Sequence, residues 1–131
     1  MTAPRHIAIV DDEADIRTIA ELGLTMTTPW RVSTAASGRE GITQAISDSP
    51  DAILLDVMMP EFDGLATIAE LQSSNATKHI PIILLTAKAQ ASDRRQYYAV
   101  GVKGVITKPF DPTTLANQIA GFLGWDDFEY K

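Results

Sequence analysis

Apolar positions along the chain follow two different spacings. Short runs with almost no polar interruption occupy 6–10 (HIAIV), 52–55 (AILL), 82–85 (IILL) and 104–107 (GVIT), and a more alternating run occupies 30–35 (WRVSTA). Unbroken runs of that length predict strands covered on both faces. Between them, apolar residues recur three and four apart: Ile16, Ile19, Ala20 and Gly23; Leu65, Ile68 and Ala69; Leu115, Ile119, Phe122 and Leu123. That spacing places one apolar stripe on each of several helices. Stripes of this kind would cover the faces of the sheet.

Punctuation along the chain agrees with the periodicity. Ser37-Gly-Arg-Glu40 has the pattern of a capping box, a hydroxyl for the third helical N–H and a carboxylate reaching back. Asp111-Pro112 predicts a carboxylate cap with proline at the first helical position, where its missing N–H costs nothing. Gly101 and Gly124 stand where helices should stop. Five strands alternating with five helices predict an α/β fold: a doubly wound, five-stranded parallel sheet with helices on both faces. There is no internal repeat and no low-complexity segment.

Chemistry collects at the ends of the strands. The first is followed by Asp11 and Asp12, the third by Asp56, the fourth ends at Thr86 and the fifth leads into Lys108-Pro109. In an open parallel sheet all carboxyl ends lie on one edge, and ligands bind in the crevice there. The second strand ends in Ala35-Ala36, which suits the sheet edge in the order 2-1-3-4-5. Each residue alone has a structural explanation: Asp11 and Asp12 as helix caps, Asp56 as a turn residue, Thr86 as a strand-end hydroxyl, Lys108 as a solvated charge. Taken together, those explanations require four coincidences on one edge. Three carboxylates with one ammonium suit a hard cation such as Mg²⁺. With the cation present, one carboxylate can act as a nucleophile toward phosphorus, while lysine and hydroxyl meet the charge on the phosphoryl oxygens.

Composition narrows the function classes. The chain has 131 residues and a mass of 14.2 kDa, which predicts one domain over 1–124 and a short acidic, aromatic tail over 125–131. The net charge of −6 and pI near 4.7 disfavour direct binding to nucleic acid or to anionic membrane. Asp11, Asp12, Asp56 and Lys108 carry −2 of that charge, and Asp126, Asp127, Glu129 and Lys131 another −2. Cysteine is absent, which excludes disulfides, thiol catalysis and thiolate metal sites. The apolar run at 7–10 is too short for a secretion signal, and no run is long enough to span a membrane, so a cytoplasmic location is expected.

The ordered set IVDDE, LLDVMMPEFDG, LLTA and ITKPF resembles the receiver domain of two-component response regulators, the fold type of the chemotaxis regulator CheY, from His6 to about Leu123. The resemblance implies a flavodoxin-like sheet of order 2-1-3-4-5. It implies Asp56 as phosphoacceptor, taking a phosphoryl group from a sensor histidine kinase or a histidine phosphotransfer protein. Asp11, Asp12 and Asp56, with the backbone carbonyl of Met58, would hold Mg²⁺. Lys108 would pair with the phosphoryl oxygens, with a cis bond to Pro109, and Thr86 would move toward them. The face formed by the fourth helix, fifth strand and fifth helix would then switch its binding of a downstream effector, or of a second copy in a homodimer. The domain would catalyse only its own phosphorylation and dephosphorylation. With the receiver filling the chain, a stand-alone regulator is expected.

Several positions depart from the family pattern or lie outside it. The family often has an aromatic residue three positions before the lysine; Val105 stands there, which excludes a rotating ring at that site. Tyr97 and Tyr98 could carry part of the signal, or one could pack and the other stay half-exposed. Met58 cannot orient an attacking water by hydrogen bonding, and Lys88 adds a nearby cation, which predicts slow loss of the phosphoryl group. The tail, WDDFEYK, reads either as a frayed end or linker stub, or as a docking segment. His6 and His79 are expected to be solvated or capping residues with no catalytic or metal role. Two rival functions are a haloacid-dehalogenase-like aspartyl-phosphate phosphatase, whose second aspartate would fall at Met58, and a receiver-like interaction domain that is never phosphorylated.

Overall fold

The computed structural model describes residues 4–59 and 64–125. Within them β1 (His6–Val10), α1 (Ala14–Thr27), β2 (Arg31–Ala35), α2 (Gly38–Asp48), β3 (Ala52–Leu55), α3 (Gly64–Ser73), β4 (Ile82–Thr86), α4 (Ala91–Ala99), β5 (Gly104–Thr107) and α5 (Leu115–Leu123) follow in strict alternation. The strands form one parallel sheet in the order β2-β1-β3-β4-β5. The expected architecture is therefore the observed one.

The unbroken apolar runs are explained by two cores, one on each face. Ala8, Val10, Ile53, Leu55, Ile82, Leu84 and Val105 point to one side, where Ile68, Leu71, Tyr97 and Val102 meet them. Ile7, Ile9, Leu54, Ile83, Leu85 and Ile106 point to the other, against Leu24, Trp30, Leu115 and Ile119. Neighbours along a strand face opposite ways, so β1, β3 and β4 have no polar side to show. The alternating run becomes β2, an edge strand whose first residue, Arg31, is exposed.

Helix ends follow their caps, with one exception. Ser37 Oγ accepts from the Glu40 N–H (3.1 Å), and the Glu40 carboxylate reaches back to the Ala36 N–H (3.2 Å). Gly101, one residue past the Val100 cap of α4, and Gly124, the cap of α5, adopt positive φ, +99° and +68°. Helix α5, however, starts at Leu115 rather than at Pro112. The Asp111 carboxylate is taken by the Thr113 N–H (2.9 Å) and hydroxyl (2.7 Å), and its carbonyl by the Thr114 N–H (3.1 Å). Asp111 thus closes a turn of its own ahead of the helix, and those Thr113 bonds hold its carboxyl below the usual range.

One expectation at the periphery is corrected. His6 is buried, not solvated, and its Nε2 lies 2.8 Å from Ser33 Oγ across the β1–β2 pair; His79 is exposed. Trp125, assigned to the tail, packs edge-to-face on Trp30 with ring centroids 5.5 Å apart and lies under the Arg5 guanidinium at 4.1 Å. It closes the end of the second core. The remainder of the tail, 126–131, lies outside the described residues.

Candidate functional site

The carboxyl edge of the sheet is built by the backbone before any side chain acts. The Asp11 N–H donates to the Ala35 carbonyl (3.1 Å) and the Asp56 N–H to the Val10 carbonyl (3.0 Å), which extends the β1–β2 and β1–β3 ladders by one step. The Lys108 N–H donates to the Thr86 carbonyl (2.9 Å), which does the same for β4 and β5. Asp11 and Asp56 are thereby fixed in register at the neighbouring ends of β1 and β3, and Lys108 at the end of β5 on the far side of β4. The Lys108–Pro109 bond is cis, as expected.

Lys108 Nζ joins the carboxylates. It lies 2.7 Å from Asp11 Oδ2, 3.2 Å from Asp56 Oδ2 and 3.3 Å from Glu13 Oε1. Asp11 and Asp56 are buried, whereas Asp12 and Glu13 are exposed. Each of these four acids offers an oxygen within 4.8 Å of the others. Burial pushes the Asp11 carboxyl above its ordinary range, against the pull of the Lys108 hydrogen bond. Burial would lower Lys108, but the hydrogen bond and charge of Asp11, with those of Asp56, outweigh it and hold the ammonium above its usual range. The two shifts differ in origin, desolvation for Asp11 and the neighbouring carboxylates for Lys108, and both favour the more positive form of the pocket.

The two Asp56 oxygens have different partners. Oδ1 accepts from the Met58 N–H (3.0 Å), while Oδ2 faces Lys108. Thr86 is fully buried, and its hydroxyl accepts from the Lys88 N–H (3.0 Å). Beside it an open cleft of about 470 Å³ is lined by Met58, Lys88, Gln90 and Asp93, and the Met58 side chain is exposed.

Two contributors escape a reading of the sequence. Glu13 follows the acidic pair directly, yet its adjacency gives no sign that it also reaches Lys108. Arg17 donates from α1 to the Asp11 carbonyl (2.7 Å) and so braces the loop that carries Asp11. Only the helical offset from Asp11 could have hinted at that contact. Tyr97 is buried and Tyr98 half-exposed, the packing arrangement that is one of the two readings offered for that pair.

A doubly wound parallel sheet with buried carboxylates and one lysine at its carboxyl edge defines a class of domain built to handle cations and anionic groups together. The chain belongs to the response regulator receiver domain family, whose model matches residues 7–120. Vibrio cholerae chemotaxis protein CheY4 superposes with a TM-score of 0.83 at 30% identity, over 92% of this chain and 99% of that one. The receiver domain of sensor histidine kinase PA1611 from Pseudomonas aeruginosa, with a magnesium ion coordinated in its active site cleft, superposes at 0.80 with 29% identity over 93% and 99%. "Probable transcriptional regulator ycf27" of Cyanophora paradoxa is 39% identical over 119 residues, 91% of this chain but 48% of that protein. The chain thus spans about half the length of that curated relative. It is a signalling domain of two-component systems, with the CheY-like fold. None of its helices, among the described residues, is long and apolar enough to cross a membrane.

Proposed function

We propose that the domain over 1–124 accepts a phosphoryl group on Asp56 from a phosphohistidine of a sensor histidine kinase or histidine phosphotransfer protein. The observation that carries this reading is the Lys108 ammonium between Asp11 Oδ2 and Asp56 Oδ2 at the open edge of the sheet. An Asp56 oxygen attacks phosphorus, an O–P bond forms, the P–N bond breaks, and the imidazole leaves with the electron pair. Lys108 follows the charge onto the phosphoryl oxygens, and the Thr86 hydroxyl turns to donate one hydrogen bond to them. The Met58 N–H keeps the carboxylate aligned through the transfer.

The donor set fits Mg²⁺. Asp11, Asp12 and Asp56 supply hard oxygens at close range, Glu13 lies in the same cluster, and the Met58 carbonyl would complete the ligand set. Bound Mg²⁺ supplies charge neutralisation between the carboxylates and the incoming phosphoryl group. Phosphorylation then biases the face formed by α4, β5 and α5 toward a downstream effector protein.

Intact mass after incubation with acetyl phosphate tests the reading. A phosphoryl adduct that requires Mg²⁺ and disappears in Asp56→Asn is expected. An adduct that persists in that variant, or none on the wild type, overturns it.

A further inference from the structure

Helix α4 is the polar helix of the fold. Its sequence, ASDRRQYYA, contributes one buried residue, Tyr97. The ring is 2% exposed and sits in the core cluster with Leu84, Val102 and Val105. Its hydroxyl leaves that apolar setting and donates to the Lys88 carbonyl at 2.8 Å. The Lys88 N–H in turn donates to Thr86 Oγ1 at 3.0 Å. A single peptide segment is therefore held at one end by the strand-end hydroxyl and at the other by the one buried side chain of α4.

A buried tyrosine needs some acceptor, and packing alone would be satisfied by any carbonyl in reach. The acceptor here lies two residues past Thr86, and a second bond reinforces the same loop. Arg94 donates from Nε to the Ala89 carbonyl (2.9 Å) and from its guanidinium to the Thr107 hydroxyl (2.9 Å), beside Lys108. The loop over 87–90 is thus fastened to α4 at two successive carbonyls. Burial, with the charges of Asp93 and Asp56, holds the Tyr97 phenol above its ordinary range, so it remains a donor at neutral pH.

We infer that Tyr97 is the positioning residue that passes the state of Thr86 to α4, with the Lys88 backbone as the link. This rests on the phosphoacceptor reading of Asp56. A Thr86 hydroxyl that turns toward a phosphoryl group moves away from the Lys88 N–H. The Lys88 peptide shifts, its carbonyl draws the Tyr97 hydroxyl, and α4 follows its buried anchor. The relay uses a phenol on α4 where Val105 leaves no ring on β5.

The test is amide NMR of the ¹⁵N-labelled chain, titrated with beryllium fluoride and Mg²⁺ as a phosphoryl mimic. In the wild type, shifts are expected at Asp56, Thr86, Lys88 and through 91–99. In Tyr97→Phe, which keeps the ring and removes the hydroxyl, shifts at Asp56 and Thr86 persist while those over 91–99 fall at least threefold. Lys88→Ala keeps both backbone bonds and retains the full α4 response. Undiminished α4 shifts in Tyr97→Phe overturn the relay alone, and a lost α4 response in Lys88→Ala overturns it by assigning the link to the side chain. No wild-type shift at Asp56 or Thr86 overturns the phosphoacceptor reading and the relay with it.

Discussion

Lys108 holds its charge among three carboxylates, and its environment decides how the pocket answers to cations. Its raised pKa contributes stability that is fully present below the ordinary value of 10.5 and is lost as pH rises through the folded value. Asp11, raised by burial, contributes stability present below 3.8 and lost as pH rises through its folded value, so at neutral pH its charge works against the fold. Removing the ammonium leaves that charge buried without its neighbour. Lys108→Met should cost about 3 kcal/mol in urea unfolding without Mg²⁺, and added Mg²⁺ should restore more stability to the variant than it gives the wild type. An equal Mg²⁺ gain in both would show that the ammonium and the cation do not share a site. Met58 bears on the lifetime of the product. Its exposed thioether lines the cleft without a polar atom able to orient water strongly, so Met58→Asn should shorten the phosphoryl half-life by roughly tenfold, less than a positioned proton-transfer group supplies because the amide only orients the water. A half-life equal to or longer than that of the wild type would sink the idea.

At the scale of elements, the close approaches decide what the site can tolerate. Gly64 begins α3 directly behind the acceptor strand, and its N–H donates to the Val57 carbonyl at 3.1 Å. A Cβ there would stand 2.3 Å from Val57 Cα and 2.7 Å from the Asp56 carbonyl oxygen, both backbone atoms with little room to give. Gly64→Ala should therefore destabilise by about 1–3 kcal/mol and also slow phosphoryl uptake from acetyl phosphate, because the strain falls on the Asp56 peptide. Lost stability with an unchanged uptake rate would show that α3 moves instead of the acceptor. The strands were readable because burial on both faces leaves an unmistakable unbroken run, and the site because strand ends in a parallel sheet share one edge. The start of α5 was misread because Asp111 and Pro112 satisfy the helix-start rules equally well when they build a turn. The burial of His6 was hidden for a related reason: a histidine at the start of a strand shows no sign of the Ser33 hydroxyl waiting on the next one. One of Tyr97 and Tyr98 could be placed in the core without saying which, and the partner of the Tyr97 hydroxyl depends on the path of the loop after β4, which carries no periodicity.

For the whole molecule, the two ends of β1 titrate in opposite senses. His6 opens the strand, its N–H bound to Asp51 Oδ2 (2.7 Å) and its ring to Ser33. Burial, then the charge of Arg31, lowers its pKa below 6.5 against the opposing pull of Asp48 and Asp51. A lowered histidine contributes stability that is present above 6.5 and lost as pH falls through the folded value. Asp11, at the far end, gains from the same acidification, since its folded form holds a proton more tightly than the unfolded chain. Thermal unfolding from pH 7.5 to 5 should accordingly show a loss of stability that His6→Gln, with a side chain still able to meet Ser33, reduces. The gap between wild type and variant narrows as pH falls, and a gap that stays constant would mean that His6 does not titrate in this range. The distance from His6 to Asp11 along an extended strand is about 16 Å, beyond the range at which separate sites normally couple. Mg²⁺ should then raise the unfolding temperature by the same amount in wild type and His6→Gln at each pH, with the gain shrinking in both as acid protonates Asp11, whose pKa burial raises. A gain that depends on His6 would show that the sheet carries strain from one end of β1 to the other.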